Sequence, residues 1–225
     1  GAEKFFDIKC RKAGLRPELT VLVATAQSLK LHGGVDEKRI KEPNPAGIRR
    51  GLANLDKHVE NLKRFGQSVI VTFNRYAQDT EEEIALVADH CRDLGVGFAV
   101  NTVFAEGGQG GEALARLAVD TIEKNPSQPL SFCYADDDPV RVKIEKVSKT
   151  IYGASSIVYT SLADKKIKQI ESLGISRYPI CIAKTQYSFS DDAGKLGAPE
   201  GFKITVRNLK VSAGAGFIVA LTGDV

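Results

Sequence analysis

The stretch Ser68-Val69-Ile70-Val71-Thr72-Phe73-Asn74, followed by Arg75-Tyr76-Ala77-Gln78-Asp79-Thr80 and the acidic run Glu81-Glu82-Glu83, decides the fold class. Seven residues rich in β-branched and aromatic side chains read as a buried strand. The turn after them ends on an Asp-Thr pair and three carboxylates, where a helix N-terminus favours a side-chain cap and negative charge. Outward from it the same alternation recurs. Leu19–Thr25, Val96–Asn101, Ile157–Tyr159 and Ile180–Ala183 read as buried parallel strands, whereas Ile48–Phe65, Glu81–Leu94 and Glu112–Lys124 place apolar residues at helical spacing. Such alternation builds an α/β fold, a mainly parallel sheet flanked by helices with right-handed crossovers.

Two prolines in Asn125-Pro126-Ser127-Gln128-Pro129 interrupt the helical pattern and set a boundary near residues 125–135. Residues 1–130 are expected to form a first α/β unit and residues 131–225 a second, smaller one. In the second, Pro139–Tyr152 and Leu162–Leu173 read as helices, and Phe202–Ser212 and Gly216–Thr222 as strands.

The chain has 225 residues, 43% of them apolar and 26% charged, enough to bury a core. A net charge of +3 without a Lys/Arg stripe argues against a nucleic-acid partner. No apolar run approaches the roughly 18 to 20 residues of a membrane span, and Gly1–Lys12 has no apolar core of a signal peptide, so no membrane partner and a cytoplasmic place are expected. Cys10, Cys91, Cys133 and Cys181 lack CxxC spacing, and His32, His58 and His90 are scattered; free thiols and no metal site are the expectation. Methionine is absent, including at position 1, consistent with a piece of a longer chain.

Three loops leave strands with chemistry-bearing residues. Ala105-Glu106-Gly107-Gly108-Gln109-Gly110-Gly111 follows one strand and opens a helix. Glycine there lets backbone N–H groups approach an anion, and it equally serves a tight turn. Glu106, Gly107, Gly108, Gly110 and Gly111 are therefore candidates for a cleft loop, with Arg75 and Asp79 from the neighbouring turn, because open α/β sheets bind ligands at the carboxyl ends of their strands. Tyr76 and Phe104 lie on adjacent loops, where two rings can sandwich a flat heterocycle or form an ordinary core pair. The third loop, Lys184-Thr185-Gln186-Tyr187-Ser188-Phe189-Ser190-Asp191-Asp192, offers a lysine, an amide and hydroxyls that could hold a carboxylate.

Longer strings carry a resemblance. Glu3-Lys4-Phe5-Phe6-Asp7-Ile8-Lys9-Cys10-Arg11, Leu29-Lys30-Leu31-His32-Gly33-Gly34, Asn54-Leu55 with His58, Ala183 through Asp192, and Ile204-Thr205-Val206-Arg207 with Ser212-Ala213-Gly214 resemble formate tetrahydrofolate ligases in order and spacing. That family phosphorylates formate with ATP, and folate N10 attacks the formyl phosphate. The resemblance implies ATP with magnesium in the complete enzyme, tetrahydrofolate as substrate, and nothing tightly bound to this chain alone. It implies folate contacts at Tyr76, Ala77 and Phe104, where the family commonly shows Phe-Pro and Trp. Lys184, Gln186 and Tyr187 would brace the residues that touch ligand.

No GxxxxGK[ST] string occurs, so the phosphate-binding groups are expected in an N-terminal domain outside this sequence. No catalytic residue is identified here, and the isolated chain is expected to be inactive. The family also continues past Gly223-Asp224-Val225 into a segment containing Met and Pro. Partners would be tetrahydrofolate, formate, ATP, the N-terminal domain and further copies in a homo-oligomer. The competing reading is a non-catalytic folate-binding or oligomerisation module. A nucleotide-dependent oxidoreductase fits less well, because GxGxxG is missing.

Overall fold

A computed structural model of the chain describes residues 1–223; Asp224 and Val225, which the sequence reading touched, lie outside the described residues. In chain order the elements are α1 (Ala2–Lys4), a π-helical segment (Phe5–Cys10), α2 (Arg11–Ala13), β1 (Thr20–Ala24), α3 (Ala26–His32), α4 (Pro45–Arg64), β2 (Val69–Asn74), α5 (Glu81–Asp93) and β3 (Gly97–Asn101). There follow α6 (Val103–Glu106), a 3-10 turn (Gly107–Gly111), α7 (Glu112–Lys124), α8 (Val140–Val147), a second π-helical segment (Ser148–Tyr152), β4 (Ser156–Tyr159), α9 (Ser161–Ser172), β5 (Ile180–Ala183), β6 (Lys203–Ser212) and β7 (Phe217–Thr222).

Two compact units result, one of Pro17–Leu130 and one in which Gly1–Arg16 joins the chain from Ser131 onward. The sequence reading drew a single line between residues 130 and 131. Residues 1–16 cross it because their acidic side chains face inward. The Tyr152 hydroxyl donates to Glu3 Oε1 at 2.5 Å, Cys133 N–H donates to Asp7 Oδ1 at 2.9 Å, and Arg11 donates to the Tyr134 carbonyl at 2.7 Å.

The unit of residues 17–130 is built on a parallel sheet in the order β1-β2-β3. Register runs from Thr20 opposite Val69 to Ala24 opposite Phe73, and from Ile70 opposite Gly97 to Asn74 opposite Asn101. Central β2 is buried from Val69 to Phe73, as a parallel strand covered on both faces requires. On edge strand β1, by contrast, Val21 and Val23 are exposed, so burial there is not what their apolar pattern led one to expect. Buried Ile48, Leu52, Leu55, Val59 and Leu62 repeat at alternating steps of four and three and give α4 one apolar face. That helix begins three residues before Ile48, because Asn44 Oδ1 accepts from Gly47 N–H at 2.8 Å and Pro45 occupies the first turn. Periodicity marks where packing starts; the cap marks where the helix starts. Gly51 lets α4 lie against α3, since a Cβ there would fall 1.9 Å from the Leu29 carbonyl oxygen.

The other unit carries a mixed sheet in the order β4-β6-β7-β5, with β4 parallel to β6, β5 parallel to β7, and β6 antiparallel to β7. Its core takes Ile204, Val206, Leu209, Ile218 and Ala220 from the sheet and Ile144, Ile167 and Ile170 from the helices. The helix expected over 139–152 changes to a π turn at Ser148 and stops at Gly153, whose φ of 82° is left-handed. Both units are α/β.

Candidate functional site at the carboxyl ends of β2 and β3

Two asparagines mark where the strands stop. Asn101 Nδ2 donates to Asn74 Oδ1 at 2.8 Å, and Arg75 N–H donates to the Asn101 carbonyl at 3.1 Å, so the loops after β2 and β3 start side by side.

The loop after β2 is a tight turn. Tyr76 N–H donates to Asp79 Oδ2 at 2.8 Å, and Asp79 N–H returns to the Tyr76 carbonyl at 3.0 Å. Asp79 thus fastens the turn, and Thr80 alone caps α5. Thr80 Oγ1 accepts from Glu83 N–H and Glu83 Oε2 accepts from Thr80 N–H, both at 3.3 Å, a reciprocal capping box. Tyr76 is left 47% exposed, Ala77 is exposed, and Arg75 pairs with Glu81 at 2.6 Å.

The loop after β3 coils into α6, because Asn101 Oδ1 accepts from Val103 N–H at 3.1 Å. Phe104 stands on that short helix fully exposed. Both rings therefore face solvent rather than a core. Glu106 is held by the Thr102 hydroxyl at 2.5 Å, and Thr102 N–H donates to the Gly110 carbonyl at 3.1 Å. The glycines here have a packing role. A Cβ on Gly110 would lie 2.5 Å from both the carbonyl carbon and Oγ1 of Thr102, while Gly107 and Gly108 are exposed. Gly111 ends the 3-10 turn and leads into α7.

Beneath the Tyr76 turn is a buried charge network that the sequence reading missed. Lys30 and Glu83 are both fully buried and pair at 2.7 Å. Lys30 Nζ also donates to the Glu42 carbonyl at 2.8 Å, and Asn44 N–H donates to Glu83 Oε1 at 2.7 Å. Burial pushes the Glu83 carboxyl up, but the Lys30 ammonium and the Asn44 and Thr80 N–H groups outweigh it and hold it below the usual range. Burial drives the Asp79 carboxyl above its usual range, against the pull of Tyr76 N–H and the Lys30 charge. Asp79 Oδ1 is buried with no hydrogen-bond partner among the described residues. The signal that could have exposed this network is Lys30 itself, a charge between Leu29 and Leu31 on a short apolar helix.

Lys184, Gln186 and Tyr187 belong to the other unit, after β5. Lys184 Nζ donates to the carbonyls of Thr185 and Ser188 and lies 4.8 Å from the Tyr152 ring centroid. Burial, aided by the Lys4 charge, lowers its pKa to about 8. Gln186 and Tyr187 are exposed. The loop's hydroxyls bind the loop to itself, with Ser188 Oγ and Ser190 Oγ 2.9 Å apart and Ser190 Oγ donating to the Asp192 carbonyl at 2.9 Å. Among the described residues no group of three or more His, Cys, Asp or Glu could hold a metal ion, and no helix is long and apolar enough to cross a membrane. All four cysteines are free, with Cys10 and Cys91 buried and Cys133 and Cys181 half-buried.

A parallel sheet with exposed rings on adjacent loops at its carboxyl edge defines the class: an α/β protein presenting aromatic loops where open sheets of this kind take their ligands. The chain belongs to the formate–tetrahydrofolate ligase family, whose model matches residues 1–225. It is 67% identical over 225 residues to the formate–tetrahydrofolate ligase of Parabacteroides distasonis, 57% to that of Bacteroides fragilis and 55% to that of Bacteroides thetaiotaomicron. Each comparison covers 100% of this chain and 40% of the relative, so the chain spans about two-fifths of the length of the curated relatives it matches.

Proposed function

We propose that this chain forms the folate side of an ATP-dependent ligase that formylates tetrahydrofolate at N10 through formyl phosphate. The observation that carries the reading is the exposure of Tyr76 and Phe104 on loops that leave paired Asn74 and Asn101. Two such rings supply flat apolar faces for a pterin, and stacking excludes water from both sides of it. Ala77, next to Tyr76, adds a small apolar contact, and Arg75, Asp79 and the Glu106–Gly111 loop border the same strand ends.

We place the ATP phosphates and magnesium outside this chain because no GxxxxGK[ST] loop occurs here. Their chemistry falls to the remaining three-fifths of the ligase. On this reading the isolated chain neither makes formyltetrahydrofolate nor holds a cofactor tightly, works in the cytoplasm, and assembles with copies of itself in the full-length enzyme.

The test uses the full-length ligase carrying this sequence. Tyr76→Ala and Phe104→Ala should each raise the KM for tetrahydrofolate by roughly 5- to 150-fold, corresponding to about 1 to 3 kcal/mol of stacking, with formate-dependent ATP chemistry less affected. An unchanged KM in the double variant would falsify the folate assignment, and turnover by the pure 225-residue chain would overturn the division of labour.

A further inference from the structure

We propose that Asp79 is a positioning residue for the folate-stacking ring: its carboxylate, accepting from Tyr76 N–H, fixes the backbone of Tyr76 and so sets where that ring stands. The inference rests on the folate reading above and adds to it the part that holds the platform.

The turn could have been closed more simply. Asp79 is 5% exposed, one oxygen accepts from Tyr76 N–H, and the other is buried without a partner. A buried carboxylate with an unmet oxygen is an unfavourable way to close a turn, and such a group calls for an explanation beyond packing. Tyr76 N–H and the Lys30 charge favour the ionised form, but burial and the Glu83 charge oppose it and the carboxyl stays above its usual range. Lys30 is itself held by Glu83 and the Glu42 carbonyl, and Glu83 is fixed by Asn44 N–H and the Thr80 cap. The first turn of α5, which follows Asp79 directly, is thereby tied to α3 and to the end of the loop before α4. Tyr76 is about half exposed to solvent. Asp79 grips the Tyr76 backbone at both N–H and carbonyl, with its carboxylate on the first and its own N–H on the second.

The experiment compares Asp79→Leu, Asp79→Asn and Tyr76→Ala in the full-length ligase. Leucine matches the aspartate in shape but cannot accept a hydrogen bond; asparagine keeps the acceptor. In Asp79→Leu the KM for tetrahydrofolate should rise about tenfold while kcat at saturating folate changes less than about threefold. Hydrogen exchange in the peptide spanning Tyr76 should quicken about tenfold, with α5 beyond its first turn unchanged. Asp79→Asn should restore most of both. Combined with Tyr76→Ala, Asp79→Leu should add nothing further. If Asp79→Leu does not fold, Asp79→Ala takes its place under the same criteria. Should Tyr76→Ala raise the KM while the Asp79 variants leave it and the exchange alone, the positioning role is wrong. Equal impairment in Asp79→Asn and Asp79→Leu overturns it too. Should Tyr76→Ala leave the KM unchanged, the folate reading itself fails, and exchange at Tyr76 still reports whether Asp79 holds the turn.

Discussion

Asn101 holds Asn74 across the ends of β3 and β2, its Nδ2 donating to Asn74 Oδ1 at 2.8 Å while its own Oδ1 accepts from Val103 N–H at 3.1 Å. One amide thus joins the two strands and starts the helix that carries Phe104. Asn101→Leu removes both bonds and leaves two partners unmet. A loss of about 1 to 3 kcal/mol is expected in urea denaturation, and a variant as stable as the parent would show that water replaces the amide.

Gly110 meets Thr102 so closely that even a methyl group has no room. Gly110→Ala should cost about 1 to 3 kcal/mol, as overpacking does. Gly108→Ala, where a Cβ meets nothing within 4 Å, is the control and should be nearly neutral. Paired thermal melts decide it: equal melting temperatures for the two variants contradict the contact.

The Lys30–Glu83 pair is expected to behave as buried ion pairs do. Lys30→Met leaves the buried Glu83 carboxylate without its counter-ion and should cost roughly 3 to 5 kcal/mol. Adding Glu83→Leu should recover a substantial part, although loss of the bonds to Asn44 and Thr80 keeps the recovery incomplete. Strict additivity in the double variant would mean that the two charges do not sense each other.

Acid should loosen the unit that contains Glu3. Burial pushes that carboxyl up, but Lys4 and the Tyr152 hydroxyl work against it and the carboxyl is held below the ordinary 4.5. A depressed folded-state pKa contributes stability that is present above the unfolded value and lost as pH falls through the folded one. The loss from Glu3 is therefore expected as pH falls below 4.5. Asp7 works the opposite way. Burial raises its carboxyl, so its contribution is full below the ordinary value of 3.8 and fades as pH rises through the raised one. Tyr152→Phe removes one bond to Glu3 and should move the acid transition to higher pH; a transition that stays in place assigns it to other groups.

The sheet was legible because β-branched runs such as Val69-Ile70-Val71 report burial directly, and β2, β3 and β5 fall within a residue or two of their expected ends. The N-terminal helical segment was not. Glu3 and Asp7 put charges on its buried side, and its π turns break the spacing by which a helix is recognised. Helix α3 was lost for a similar reason, being seven residues long with Lys30 among its buried positions. At the candidate site the chain order placed Arg75, Tyr76 and Phe104 on neighbouring loops, since register follows from strand succession. It could not reveal that Asp79 turns back to Tyr76 or that Lys30 meets Glu83, because such pairings exist only once the chain has closed on itself.

The pinning of Thr102 to Gly110 makes the segment between them a closed excursion with fixed ends. Length changes are thereby steered to one place. An extra residue within 107–109 can only bulge outward, where Gly107 and Gly108 already face solvent, and the helical turn bearing Phe104 stays anchored by Asn101 and Thr102. A change of length at the tip therefore leaves the ring in place, whereas a single insertion between Thr102 and Phe104 rotates that ring away.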